Sequence, residues 1–130
     1  MIYLDSSALL KLLVEESESA ALAEWLSEQA GISVISSELA RLEVIRASRR
    51  LDPGILPAAR ALMSQVDLLP LGGEVLTAAA EIGEPVLRSL DAIHLASALS
   101  IREHLTAFVA YDLRLVDAAQ SVGLEVQQPS

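Results

Sequence analysis

Short apolar runs alternate with helical patterns along this chain, and that alternation leaves few architectures open. The first run, Ile2-Tyr3-Leu4, is made of good strand formers and stops at Asp5. Ser6 and Ser7 follow, then Ala8-Leu9-Leu10-Lys11-Leu12-Leu13, which reads as a helix with Ser6 as its cap. Ile32 to Ile35, Val66 to Leu71, Thr106 to Tyr111 and Leu124 to Val126 read as further strands, the last at an edge. Between them the spacing predicts helices over about 18–30, 36–51, 57–65, 74–82, 90–103 and 113–122. Ser17 or Ser19 caps the first of these, and Ser36 and Ser37 start the next. Leu39, Leu42 and Ala47, and later Leu90, Ile93, Leu95, Ala98 and Leu99, recur at helical spacing and are predicted to face the core. Gly31, Asp52-Pro53-Gly54, Gly72-Gly73, Gly83-Glu84-Pro85 and Gly123 supply the stops. The expected fold is therefore α/β: a three-layer α/β/α sandwich around a mostly parallel central sheet. Right-handed crossovers bring every strand's C-terminus to one rim, and that rim receives Asp5 and Asp112.

A chain of 130 residues is read as one domain, 1–130, with a real core. Its hydrophobic content of 52% argues against disorder, and aromatics at 3% leave the core to Leu, Ala, Val and Ile. No apolar run reaches the roughly 20 residues of a membrane helix, and no secretory signal is seen, so a cytoplasmic protein without membrane contact is expected. The absence of cysteine excludes disulfides and thiolate metal sites. A net charge of −9 argues against nucleic acid, unless some of the acids hold metal cations. Glu15, Glu16 and Glu18 read as solvated surface.

A carboxylate at a strand's C-terminal end, against a helix N-terminus, lies where open α/β folds place their ligands. Asp5 fits that position, and it equally fits a plain helix cap. Asp112 closes the fourth apolar strand in the same way. Two helical acids stand among apolar neighbours. Glu43 reads as a site residue or as a surface acid paired with Arg46 or Arg50. Asp91 reads as a site residue or as a first-turn acid favoured by the helix dipole.

These four segments together resemble the PIN domain, specifically the VapC-type toxin ribonucleases. Leu4-Asp5-Ser6-Ser7-Ala8-Leu9 resembles the opening motif of that family, and Glu43-Val44-Ile45-Arg46-Ala47 its helical acid. Leu90-Asp91-Ala92-Ile93-His94-Leu95-Ala96 is a close match to the third motif, and Tyr111-Asp112-Leu113-Arg114-Leu115 is similar to the fourth. Ala110 departs from it, because many members carry Thr there.

The resemblance implies RNA cleavage dependent on Mg²⁺ or Mn²⁺, with Asp5, Glu43, Asp91 and Asp112 as catalytic acids. An all-carboxylate set suits hard divalent cations. Asp5, Asp91 and Asp112 are the expected metal ligands, and Glu43 completes the site or orients the water. Ser6 and Ser7 lend hydroxyl or backbone contacts, while Asp117 either joins beyond the direct ligands or is a surface acid. His94 reads as a satisfied, partly buried histidine rather than a general acid, and His104 as compensating a helix dipole. Arg41, Arg46, Arg49 and Arg50 concentrate positive charge beside Glu43; Arg46 and Arg50 are candidate RNA contacts, and a solvated or partner-binding face is the alternative.

The resemblance also implies a VapB-like antitoxin and a homodimer. An acidic pocket suits an inserted arginine, and Leu10, Leu13, Leu22, Trp25 and Leu26 are expected to wall the groove that leads to it. Two other readings compete. A haloacid-dehalogenase-like phosphotransferase wants a second Asp where Ser7 stands, and the only lysine, Lys11, lies in the first helix. A non-catalytic dimeric PIN-like module remains, but degenerate members lose acids, and all four are present here.

Overall fold

Tyr3 and Phe108 stack on adjacent strands of a five-stranded sheet, and helices cover both sheet faces. The computed structural model describes residues 1–130. Its strands are β1 (Ile2–Leu4), β2 (Val34–Ser37), β3 (Asp67–Leu69), β4 (Ala107–Val109) and β5 (Val126–Gln127). Its helices are α1 (Ser6–Lys11), α2 (Ser19–Glu28), α3 (Glu38–Leu51), α4 (Leu56–Gln65), α5 (Gly73–Glu81), α6 (Ser89–Ser100) and α7 (Leu113–Ser121). Two 3-10 turns, Pro53–Ile55 and Arg102–His104, join them, and His104 lies in the second. The sheet order is β3-β2-β1-β4-β5, and every pairing is parallel, so the sheet is wholly rather than mostly parallel.

The three layers follow from the period of two along the central strands. Ile2 and Leu4 of β1 and Ala107 and Val109 of β4 join one core, with Leu9, Leu22, Ala40, Val44 and Met63. Tyr3 and Phe108 point the other way, into a second core with Leu95, Ala98, Leu115 and Ala119. Burying a Leu or Phe side chain contributes about 1.5–3 kcal/mol each, so apolar packing holds both faces, with the Tyr3–Phe108 stack on the second. Gly123 takes φ +87 in the turn after α7, a conformation that a side chain would strain.

Several local expectations shift. β2 runs two residues later than expected and includes Ser36 and Ser37, both fully buried. Their hydroxyls are satisfied inside: Ser36 donates to the Leu4 carbonyl (2.6 Å), and Ser37 caps α3 by accepting from the Leu39 amide (3.1 Å). Asp5, not Ser6, caps α1, because its carboxylate reaches the Ala8 amide (2.9 Å). α2 has no side-chain cap; Ser19 instead accepts from the Glu16 amide and donates to the Val14 carbonyl. Leu42 and Leu90 are exposed rather than inward-facing. Glu16 and Glu18 do more than solvate: both pair with the buried Lys11 ammonium (3.1 and 2.9 Å), which lies 4.7 Å from the Tyr111 ring centre. Burial lowers the Lys11 pKa, but bonds from Glu18 and Glu16 outweigh it and leave it raised.

Candidate active site

The parallel sheet puts the ends of β1 and β4 side by side, and the chain places an acid just past each. Asp5 caps α1 and Asp112 caps α7, so both are fixed by helix starts at the sheet's C-terminal rim. α3 brings Glu43 to that rim, and the first turn of α6 brings Asp91. All four line one pocket of about 460 Å³, together with Ser6, Ser7, Arg46, Arg50, Arg88 and His94.

Each acid is tied down through one oxygen. Asp5 Oδ1 accepts from the Ala8 amide (2.9 Å) and the Ser7 hydroxyl (2.7 Å). Asp112 Oδ1 accepts from the Arg114 and Leu115 amides (3.0 and 3.2 Å). Glu43 Oε1 accepts from the Ser6 hydroxyl (2.6 Å) and His94 Nε2 (2.8 Å). Asp91 Oδ2 accepts from Arg88 Nε (3.0 Å). No hydrogen bond reaches the second oxygen of any of the four; Asp112 Oδ2 has only the Arg88 guanidinium near it, at 3.8 Å.

His94 is the hidden support of this arrangement. Its ring is 2% exposed and bridges α6 to both β1 and α3. A carboxylate can only accept, so Nε2 carries the proton toward Glu43, and Nδ1 accepts from the Tyr3 phenol at 2.7 Å. Burial pushes the Tyr3 phenol strongly up, which keeps it protonated and able to donate.

The electrostatics divide the acids. Asp5 is 4% exposed, and burial pushes its carboxyl above the ordinary value against the opposing pull of His94, Ala8 and Ser7. Burial also raises Glu43, but the bonds from His94 and Ser6 outweigh it and hold Glu43 below the ordinary value.

As the side chains stand, no three acids or histidines lie close enough together to chelate a metal. Arg88 occupies the gap instead, its Nη2 3.0 Å from Asp91 Oδ2 and 3.8 Å from Asp112 Oδ2. The donors nonetheless fit a hard cation in kind: all are carboxylate oxygens, and Asp5 and Glu43 each keep one free of hydrogen bonds.

Other expected residues divide. Ser6 and Ser7 touch the acids directly. Arg46 and Arg50 line the pocket, and neither pairs with Glu43, whose partners are Ser6 and His94. Asp117 is exposed and lines a separate cleft with Arg114 and Ser121, so it does not join these acids. Leu22 is fully buried and cannot wall a groove, whereas Leu10, Leu13, Trp25 and Leu26 are half-buried and can. Ala110 is fully buried in the second core. Sequence reasoning missed Arg88; its place three residues before Asp91 at a helix start was the available signal. The His94–Glu43 link joins distant segments and had no local signal.

Residues 2–120 match the family model for the PIN domain. The chain is 46% identical to Ribonuclease VapC47 of Mycobacterium tuberculosis, over 99% of this chain and 97% of that one. The crystal structure of Mycobacterium tuberculosis VapC20, described as a sarcin–ricin loop cleaving toxin, superposes with a TM-score of 0.76 at 17% identity, covering 99% of this chain and all of that one. VapBC2 from Rickettsia felis, solved bound to a DNA fragment from its promoter, has a TM-score of 0.67 at 11% identity, with both chains fully covered. With its family motifs gathered at the sheet's rim, and with this extent of likeness, the chain belongs to the PIN domain family.

Proposed function

We propose that this chain, acting as one unit over residues 1–130, is a toxin-type endoribonuclease that hydrolyses RNA phosphodiesters at the acidic pocket with Mg²⁺ or Mn²⁺. The observation that carries the reading is the single-oxygen tethering of Asp5, Glu43 and Asp112: each is oriented by the fold, and its other oxygen makes no hydrogen bond. The 46% identity to a protein named a ribonuclease supports it.

Asp5, Asp91 and Asp112 would hold the cation. When bound, it would polarise the phosphate and lower the pKa of a water toward neutrality. Glu43, kept ionised by His94 and Ser6, accepts a hydrogen bond from the attacking water and orients it. Asp5 is the most buried of the four acids, and low exposure would strengthen its pull on a cation. Arg46 and Arg50, on the pocket wall, offset the acids and would contact RNA phosphates.

A VapB-like antitoxin is the expected partner, and the VapBC2 structure of like fold supports it. Half-buried Leu10, Leu13, Trp25 and Leu26 would give such a partner apolar surface to pack on, and Leu10 also lines the acidic pocket. A basic antitoxin side chain entering the pocket would take the place of the cation. A homodimer would let a dimeric antitoxin engage two sites. No helix is long and apolar enough to cross a membrane, and the reading places the enzyme in the cytoplasm, where RNA is.

Incubating the purified protein with RNA in Mn²⁺, with and without EDTA, tests the proposal. Cleavage that appears with Mn²⁺ and is lost with EDTA is expected. Cleavage unaffected by EDTA would remove the metal, and no cleavage of any RNA would favour a non-catalytic binding module.

A further inference from the structure

The pocket's acids are not the only charged groups aimed into it. Arg88 stands at the start of α6 with an extended backbone (φ −65, ψ 147), and its side chain lines the pocket. Its Nε and Nη2 each lie 3.0 Å from Asp91 Oδ2, and Nη2 is 3.8 Å from Asp112 Oδ2. One guanidinium thus spans two acids that come from different helices. Its Nη1 has no partner in any hydrogen bond or ion pair.

Two features mark this contact as exchangeable rather than structural. The side chain is 68% exposed, so the ion pairs are screened and weak. Asp91 has no other anchor than Arg88, whereas Asp5, Glu43 and Asp112 are each held by backbone amides or by Ser6 and His94. A divalent cation competing for the same carboxylates carries twice the charge and no side-chain entropy. Once displaced, the guanidinium stays tethered beside an acidic pocket that must admit a polyanion. Its planar donors match a phosphate's paired oxygens.

We propose that Arg88 serves two ligands in turn: it pairs with Asp91 and Asp112 in the metal-free enzyme, yields them to a divalent cation, and then binds an RNA phosphate next to the scissile bond. The inference rests on the metal-dependent reading of the pocket given above. It makes Arg88 a counter-ion to the acids when the site is empty and a substrate contact when the site is loaded.

The test uses the full chain with Arg88→Gln, Arg88→Lys and, as a control away from the pocket, Arg60→Gln. Mn²⁺ binding is measured by titration calorimetry without RNA. KM and kcat are then measured on a labelled RNA at saturating Mn²⁺ over a range of salt. Arg88→Gln should bind Mn²⁺ about threefold to tenfold more tightly, because a weak competing ion pair is gone. The same variant should raise KM about threefold to tenfold and flatten the salt dependence of log KM by about one phosphate contact. Arg88→Lys should recover part of the KM loss, and Arg60→Gln should match wild type in every respect. Unchanged or weaker Mn²⁺ binding in Arg88→Gln overturns the exchange, and an unchanged KM overturns the phosphate contact. If wild type itself binds no Mn²⁺, the metal reading fails and the inference fails with it. If wild type binds and Arg88→Gln binds equally, only the Arg88 role is lost.

Discussion

His94 Nε2 lies 2.8 Å from Glu43 Oε1, so a buried imidazole on one helix sets the direction of a pocket carboxylate on another. The ring is itself held by the Tyr3 phenol at 2.7 Å, which makes a line of Tyr3, His94 and Glu43 from the core to the pocket. His94→Ala should cost about 1–3 kcal/mol of stability, because it strands a buried phenol and frees Glu43. His94→Gln should recover part of that cost. On the proposed role of Glu43 in orienting the attacking water, both variants should lower kcat more than they raise KM. Denaturant melts beside steady-state kinetics check this; a stable His94→Ala protein with wild-type kcat would show that the ring supports nothing.

Asp5 gives a prediction with a definite pH sign. Burial raises its carboxyl in the folded protein, so folding penalises the charged form relative to the unfolded chain. Stability from this group is fully present below the unfolded pKa and is lost as pH rises through the raised folded pKa. Asn is neutral throughout and caps a helix as well as Asp does. Metal-free Asp5→Asn protein should therefore melt higher than wild type at neutral pH, and the gap should close as the solution is made acid. Thermal melts in EDTA at several pH values measure it, and a lower melting temperature at neutral pH would contradict it.

Arg46 and Arg50 line the pocket, and neither takes part in an ion pair. Charge without a protein partner is available for phosphate. Replacing both by Gln should weaken RNA binding and reduce the salt slope by about two contacts, with the fold unchanged. Fluorescence anisotropy across a salt series reads the slope directly; an unchanged slope would assign these arginines to another partner.

Lys11 is nearly buried, and it ties Glu16 and Glu18 to the end of α1. Both glutamates are partly exposed, so the ion pairs themselves contribute little. The packed aliphatic stem and the contact with Tyr111 matter more. Lys11→Ala should cost about 1–2 kcal/mol, and Lys11→Met should recover much of it. Urea unfolding of the two variants separates packing from charge.

The order of elements was legible because each strand contains or adjoins an apolar run and most helices have their own stop. The strand-end acids were legible for the same reason: parallel crossovers put Asp5 and Asp112 on one rim from opposite ends of the chain. What escaped depends on pairing across space. Ser36 and Ser37 look like helix starters, yet Ser36 is satisfied by a carbonyl on the neighbouring strand, so the strand extends through it. Leu42 and Leu90 have core periodicity, but they fall on the helix sides that line the pocket. The partner of Glu43 proved to be His94 and not a nearby arginine, and no local spacing could rank those choices.

The central claim is that these acids act together as a cation site for RNA cleavage, and Asp91 tests it most directly because it is the least anchored of them. Asp91→Asn and wild type should be titrated with Mn²⁺ by calorimetry and assayed on RNA from the same preparations. The account predicts that wild type binds Mn²⁺ and cleaves. The variant should bind at least about tenfold more weakly and lose cleavage by a factor of about 10² or more, with its fold intact by circular dichroism. An Asp91→Asn protein that cleaves RNA at the wild-type rate, or binds Mn²⁺ as tightly as wild type, would contradict it.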